Sequence, residues 1–244
     1  LGLDRRQAFG RSGKRRDLAV AHSPVGWRMD NHTRFGGELS GRHLPPLGGR
    51  GPCGLEHPFK VSATADGTVA VTPPATIGCP MTASVDRWMT RSVQPAARAY
   101  FGSRVVEIRQ IASYGCRTRN SRGAAMSEHA FGNALDVAAF RLADGREVNV
   151  YRHWWRGPPA ARAFLQAAFA AACAEFYTVL GPGSDAYHAN HFHLDLLRTN
   201  ARSGRHYCQP SPYGGPVAQL PDTDSVGAVA KTPLSFTGSG REAY

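Results

Sequence analysis

The sequence predicts an α+β fold in which a small antiparallel sheet is flanked by helices. Two observations favour this class. Segments with helical spacing of apolar residues stand apart from segments with strand character. Two of the predicted strands are joined by a tight turn instead of by a helix, which is typical of antiparallel pairing. The chain has 244 residues, and its central body, Cys53–Cys208, is long enough to bury one core.

The predicted elements follow from local patterns. Thr82–Phe101 has apolar residues three and four apart, as in an amphipathic helix, and Pro95 is expected to kink it. Two prolines open a second helix, Pro158–Phe176. Ala143-Asp144-Gly145 favours a hairpin turn between two strands. The predicted strands are Arg104–Ile111, Leu135–Leu142, Glu147–Tyr151, Tyr177–Leu180 and His191–Leu197.

Both flanks of the body differ from it in composition. Residues 1–52 carry ten basic and four acidic side chains with little apolar surface, so we expect a disordered basic arm. Residues 209–244 are rich in Pro, Gly, Ser and Thr, and we expect a disordered tail there. The chain has no apolar run of the ~18 residues that a membrane-spanning helix needs. It also has no visible secretion signal.

The charge of the chain bears on its partners. Lys and Arg number 29 against 18 Asp and Glu, which gives a net charge of +11. A basic protein binds nucleic acid, anionic lipid or an anionic wall polymer. The body lacks a basic stripe interleaved with aromatic residues, so nucleic acid is not expected as a partner.

The five cysteines are widely spaced, and none forms a CxxC pair, so a thiolate zinc site is not expected. Such spacing favours one or two disulfides in an oxidising compartment. Cys53 with Cys79 is the first expected pair, because the two residues bound a segment at the edge of the body. The alternative is that all five are reduced and buried. The candidate disulfide residues are Cys53, Cys79, Cys116, Cys173 and Cys208.

The residues with the clearest chemistry form two histidine clusters, one in Ser127–Asp136 and one in His188–Asp195. Two imidazoles and a carboxylate are a common zinc-binding set. His191 and His193 are two apart on a predicted strand, so both point to one face. A lone HxH on a strand is more often a solvated or packing pair. The two clusters together favour a metal site.

The combined pattern, SxHxxGxAxD followed by HxH, resembles the zinc site of the D-Ala-D-Ala carboxypeptidases and murein endopeptidases, whose fold is shared with lysostaphin-type enzymes and hedgehog domains. The body also resembles the bacterial extensin-like C-terminal family in Tyr114–Arg117, SEHAFGNALDV, AACAEFYTVLGPG and HFHLDL. This resemblance implies His129, Asp136 and His193 as ligands of Zn²⁺.

The resemblance also implies catalytic roles. Many relatives place a Glu three residues before the last ligand as the general base, whereas this chain has Asn190. A subgroup resembling the penicillin-insensitive murein endopeptidases has histidines at the spacing of His191 and His188, which makes His191 the candidate base and His188 an auxiliary. Arg117 aligns with an arginine linked to substrate binding or oxyanion stabilisation, and its alternative is a surface residue.

Residues beside these positions have two interpretations each. Ser127 either orients His129 or caps a short turn. Asp195 either supports His193 or is a solvated strand charge. Trp154 and Trp155 either line a groove for a wall polymer or pack in the core or on the surface.

Together these features predict a zinc peptidase that hydrolyses peptide bonds of peptidoglycan stems or cross-links in the periplasm or cell envelope. One alternative is a catalytically weak zinc-bearing module that binds the envelope. The other is a protein that binds anionic polymer through its basic arm.

Overall fold

The main feature of the fold is a nine-stranded sheet. The structure, a computed structural model, describes residues 41–48, 51–120, 125–197 and 206–212, so most of the two predicted disordered flanks lies outside the described residues. The strands are β1 (Gly41–His43), β2 (Leu47–Gly48), β3 (Gly54–Leu55), β4 (Pro58–Thr64), β5 (Val69–Gly78), β6 (Val105–Ala112), β7 (Ala134–Leu142), β8 (Glu147–Asn149), β9 (Thr178–Leu180), β10 (Phe192–Asp195) and β11 (Tyr207–Gln209).

The large sheet has the order β1-β4-β5-β6-β7-β10-β9-β11, with β8 paired to β7, while β2 and β3 form a separate pair. The α+β class is confirmed. The prediction of a small antiparallel sheet is wrong, because the sheet has nine strands, and β5 pairs in parallel with β6 and β9 in parallel with β11. A parallel pair needs a crossover connection, and the first helices provide it between β5 and β6.

Strands β4 and β5 were not predicted from the sequence. Pro73 and Pro74 lie within β5, and prolines argue against an interior strand because they cannot donate a ladder hydrogen bond. In the structure they lie between Thr72, the last β5 residue paired with β6, and Ala75, where pairing with β4 resumes. Strand β1 pairs with β4, so the folded body begins upstream of Cys53, the boundary expected from composition.

The helices are α1 (Cys79–Trp88), α2 (Gln94–Phe101), α3 (Val150–His153) and α4 (Pro159–Glu175). A π-helical turn, Met89–Val93, joins α1 to α2 just before Pro95. Proline lacks the N–H that continues a helical ladder, and the wider turn accommodates that loss. The predicted helix Thr82–Phe101 is therefore present, begins three residues earlier, and ends at the left-handed Gly102.

Helices α1, α2 and α4 cover one face of the sheet. The indole N–H of Trp88 donates to the Ala168 carbonyl at 2.9 Å, which joins α1 to α4. On β10, Phe192 and Leu194 are fully buried in this core. Because side chains alternate along a strand, His191 and His193 lie on the face opposite to the helices.

Two disulfides join distant parts of the body, Cys53 to Cys116 and Cys173 to Cys208. Cys79 is a free cysteine, so the expected pair Cys53–Cys79 is wrong. Cys79 is the first residue of α1, whereas Cys53 pairs with the loop that follows β6. Paired cysteines indicate an extracytoplasmic protein. In the described parts of the chain, every helix is too short or too polar to cross a lipid bilayer.

Candidate metal centre

Three buried side chains from separate elements meet on the face of the sheet away from the helices. His129 lies in a short 3₁₀ helix, Glu128–Phe131, Asp136 lies on β7, and His193 lies on β10. Strands β7 and β10 pair so that Asp136 and His193 are directly opposite each other. Opposite residues of an antiparallel pair are close neighbours on one face, so strand register brings these two side chains together.

The three side chains converge on one carboxylate. His129 Nε2 lies 3.2 Å from Asp136 Oδ1, and His193 Nδ1 lies 2.8 Å from the same oxygen. His129, Asp136 and His193 are each less than a tenth exposed. One ligand atom from each residue lies within 4.8 Å of the other two, so the group could hold a metal ion.

The turn that carries His129 is fixed by its own sequence. Ser127 is the residue before the 3₁₀ helix, and its hydroxyl accepts the His129 backbone N–H at 3.4 Å. Of its two interpretations, the cap is therefore the one that the structure shows. Gly132 ends the turn in the left-handed region, and a Cβ there would lie 2.3 Å from a methyl of Leu55. Glycine is thus needed both for the backbone angle and for this close approach.

The outer nitrogen of each buried imidazole has a partner that can only accept. His129 Nδ1 lies 2.7 Å from the carbonyl oxygen of Ser113. His193 Nε2 lies 3.0 Å from a carboxylate oxygen of Asp195, whose other oxygen accepts the Leu197 N–H. With the hydrogens on these outer nitrogens, the inner nitrogens of the neutral imidazoles present lone pairs towards Asp136, which is the arrangement that metal ligation requires.

This donor set fits a divalent metal ion. Two imidazole lone pairs facing one carboxylate repel unless a cation, either a proton or a metal ion, lies among them. Imidazole nitrogens and a carboxylate oxygen are ligands that zinc takes in catalytic sites, where three protein ligands leave a fourth position for water. The outer contacts with Ser113 and Asp195 are the kind that orient metal-binding histidines.

The pKa values of Asp136 and His193 also show that this group favours a bound positive charge when no metal is present. Burial raises the pKa of Asp136, but the hydrogen bonds and charges of His129 and His193 outweigh it and hold that pKa far below its usual range. Burial lowers the pKa of His193, but its contacts with Asp136 and Asp195 outweigh it and raise the pKa to about 9. Without a metal, a proton on His193 neutralises the buried carboxylate.

A second pair of histidines, His188 and His191, lies beside this group. The His188 ring is 5.3 Å from that of His191 and 5.6 Å from that of His193. His191 Nε2 is 3.6 Å from Asp136 Oδ2. The other nitrogen of His191 lies 2.7 Å from Asn190 Oδ1, so a neutral amide holds this ring.

The environment keeps His191 neutral. Burial, together with the charges of the neighbouring histidines, lowers its pKa to about 4 despite the opposing attraction of Asp136. With its Nδ1 hydrogen donated to Asn190, Nε2 has a free lone pair. His191 is therefore placed to accept a proton next to the Asp136 carboxylate.

Arg117 lies on the exposed loop after β6, where its guanidinium donates to the Thr118 carbonyl and the Asn120 side chain at 3.4 Å. The loop approaches the site through its backbone, because Gly115 N–H donates to the carbonyl of His129. Its backbone carbonyl accepts the N–H of Ser127, the first residue of the first histidine cluster, at 3.1 Å. Among the described residues, the hydrogen bonds of the guanidinium itself go to its own loop and not to the predicted metal ligands.

Two groups at the site were missed by sequence reasoning. The Ser113 partner of His129 is a backbone carbonyl, which has no sequence signature. Asp185 lies 2.7 Å from His188 Nδ1 and also accepts the backbone N–H groups of Tyr187 and His188. An Asp three residues before a His, at the start of a short helix, is a capping pattern that could have identified it.

The two tryptophans differ in burial. Trp154 is buried and packs edge-on against Phe169 and Phe192. Trp155 is 63% exposed. Trp154 is thus a core residue, and Trp155 remains available at the surface.

Fold and site together define an α+β domain with a buried His–Asp–His group able to hold a metal ion. Residues 38–209 match the family described as extensin-like protein C-terminus. The match spans well over half of the chain, and the chain belongs to this family. Searches of curated proteins and of solved structures each found no match.

Proposed function

We propose that this protein is a zinc-dependent peptidase that hydrolyses peptide bonds of peptidoglycan stems or cross-links. The observation that carries the proposal is the buried group His129–Asp136–His193, whose two outer imidazole nitrogens are already bound to Ser113 and Asp195. A purely structural ion pair needs one histidine for one carboxylate. Two histidines that converge on one carboxylate, each with a partner at its outer nitrogen, are better explained by a resident cation.

His129, Asp136 and His193 would hold the metal ion. When bound, a zinc ion supplies a Lewis acid that polarises a carbonyl and lowers the pKa of water from 15.7 to about 7. The protein contributes the orientation of the ligands, because Ser113 and Asp195 fix both imidazole rings.

His191 would handle the proton. Its lone pair at Nε2 and its lowered pKa of about 4 mean that it is neutral at pH 7 and can accept a proton from attacking water. Asp136, 3.6 Å away, stabilises the resulting imidazolium. His188, whose Nδ1 is held by Asp185, would present its Nε2 lone pair beside His191 as a hydrogen-bond acceptor for an N–H group of the substrate.

The substrate class rests on sequence resemblance. The motif SxHxxGxAxD with a later HxH resembles peptidases of peptidoglycan, and the two disulfides agree with an extracytoplasmic substrate. Two imidazoles and a carboxylate suit several divalent metals, and zinc is proposed among them because of the same sequence resemblance.

Asn190 favours a second candidate function, a zinc-bearing module that binds the cell envelope with little or no hydrolysis. Its amide holds His191 but cannot act as a general base. If His191 does not take the role of the general base that a Glu has in similar peptidases, the protein would still bind the metal ion but would not catalyse hydrolysis.

The test is mass spectrometry of muropeptides released from purified sacculi by the zinc-loaded protein, with a chelated sample as control. The peptidase predicts chelator-sensitive products whose masses identify the bond cleaved. The His193→Ala variant should release none, whereas His57→Ala, which removes an exposed histidine elsewhere, should match wild type. One bound zinc per chain with no product would contradict the peptidase and support the binding module.

A further inference from the structure

The helical turn before α4 presents a compact surface, here called the aromatic–arginine patch, made of Tyr151, Arg152, Trp155 and Arg156. All four residues are exposed, Tyr151 to 69% and Trp155 to 63%. The turn continues through residue 154, whose backbone N–H donates to Val150. Residues 154–156 form a turn directly after α3, so two exposed aromatic and two exposed cationic side chains lie within one short segment.

The patch is held on the core. Trp155 lies at right angles to the buried Trp154, with ring centroids 6.2 Å apart. On its other side, its indole approaches Gly183, where a Cβ would lie 3.4 Å from the ring. A large apolar ring that is fixed from below yet mostly open to solvent loses little entropy on binding.

The two arginines of the patch are free for a ligand. Within the described residues, neither Arg152 nor Arg156 forms a salt bridge, whereas Arg87, Arg141 and Arg146 all do. A guanidinium binds carboxylates through paired hydrogen bonds. The flat apolar face of an indole or phenol suits the C–H face of a sugar ring. A ligand with sugar rings and carboxylates meets both demands.

We propose that the aromatic–arginine patch binds a strand of acidic polysaccharide, with sugar rings against Trp155 and Tyr151 and carboxylates on Arg152 and Arg156. The inference deepens the proposed function and rests on it, because it assigns the glycan strand of the same wall polymer to this patch.

The patch lies within reach of the metal group along the surface. The Trp155 ring lies against Gly183. His188, beside the metal group, is five residues after Gly183, so the two positions are at most about 18 Å apart. The intervening Tyr187 is 57% exposed. The patch lies on the side of the sheet that carries the helices, whereas the histidines lie on the opposite face. A ligand that contacts both must therefore pass around this end of the sheet, as an extended polymer strand can.

The test measures binding of the full chain, with metal chelated, to peptide-free glycan strands whose lactyl groups carry free carboxylates. Trp155→Ala should weaken binding about tenfold, and Trp155→Phe should recover most of it because a flat ring is restored. The double variant R152A/R156A should weaken binding by a similar factor at low salt and by less at high salt. The matched control R91A/R98A removes two exposed arginines of the first helices and should bind as wild type does.

Equal binding by wild type, Trp155→Ala and R152A/R156A would overturn the proposal. So would loss of binding to anionic lipid vesicles in these variants with glycan binding retained, since the patch would then recognise a membrane. Hydrolysis of a sugar-free stem peptide, measured in parallel, depends on the metal group alone. Its absence would reject the peptidase and leave the glycan-binding result standing.

Discussion

The two pairs of histidines differ in what holds them. His129 and His193 both contact Asp136 on β7, which strand pairing places directly opposite His193. His188 and His191 are fixed by Asp185 and Asn190, which belong to the same short segment as the histidines. The first pair is thus set by long-range strand register, and the second by one local turn.

This difference separates two tasks. A buried pair facing one carboxylate in a rigid sheet can hold a cation with fixed geometry. A locally held pair at the edge of that group can exchange protons with a substrate while the cation remains bound. We therefore expect substitutions in the first pair to remove metal and activity together, and substitutions in the second to affect activity alone.

The largest effect is expected from His193→Ala. Loss of one of three ligands should lower zinc affinity by more than about 100-fold and abolish hydrolysis. It should also destabilise the protein, by about 3 kcal/mol, because the buried Asp136 loses its main partner. Zinc content and thermal unfolding measure both effects. His193→Gln, which keeps a hydrogen-bonding group beside Asp136, separates loss of ligation from loss of folding.

His191→Ala should lower the rate of hydrolysis by a factor of about 10² to 10⁴ and leave one zinc per chain. The reason is that His191 contacts Asp136 only at 3.6 Å and contributes no atom to the metal group. Single-turnover kinetics and metal analysis on the same sample test this separation. Loss of zinc in this variant would show that the second pair also serves the metal.

The stability of the metal-free protein should be greatest near pH 6.5. The raised pKa of His193, about 9, gives stability that is complete below pH 6.5 and is lost as the pH rises to 9. The lowered pKa of His191, about 4, removes stability as the pH falls from 6.5 to 4. The low pKa of Asp136 adds stability that is lost only at more acidic pH.

Unfolding temperatures from pH 4 to 9 in chelator, compared with those of His193→Gln, measure the His193 contribution. With zinc bound, the unfolding temperature should no longer fall as the pH rises from 6.5 to 9, because the metal needs the unprotonated imidazole of His193. If the unfolding temperature falls equally between pH 6.5 and 9 in wild type and in His193→Gln, His193 does not carry the proton that stabilises the metal-free protein.

Asp195→Asn should weaken zinc binding by about 10- to 100-fold, since an amide supports the His193 ring less well than a carboxylate does. At saturating zinc the rate of hydrolysis should recover most of the way. A titration of rate against free zinc distinguishes this outcome from a direct catalytic role, in which saturation would not restore the rate.

The smallest effect is expected from Asp185→Asn, because Asp185 is exposed and its salt bridge with His188 is partly screened by solvent. Hydrolysis should fall less than tenfold, with zinc content unchanged. A matched change, Asp144→Asn in the distant β7–β8 hairpin, should have no effect on the rate. A loss as large as that of His191→Ala would place His188 at the reacting centre.

Local periodicity was enough to predict much of the fold around the site. The alternation of β10 placed His191 and His193 on one face, and the Asp-Gly turn predicted the β7–β8 hairpin. The partner of Cys53 and the parallel pairing of β5 with β6 were not predictable in this way. Both depend on contacts between residues far apart in sequence, which leave no local pattern.

The candidate site divides in the same way. Residue types and spacing singled out His129, Asp136 and His193, and the structure brings them together. The Ser113 carbonyl that orients His129 is a backbone group, so no residue type in the sequence could predict it. Arg117 was assigned by alignment with a motif, but the conformation of its loop directs the guanidinium to Asn120.

The most direct test of the central claim is the zinc content per chain of wild type, His191→Ala and His193→Ala, measured after zinc loading and removal of free metal. The account predicts one zinc in wild type and in His191→Ala, and none in His193→Ala. Stoichiometric zinc in folded His193→Ala, or none in wild type, would contradict the assignment of the metal centre.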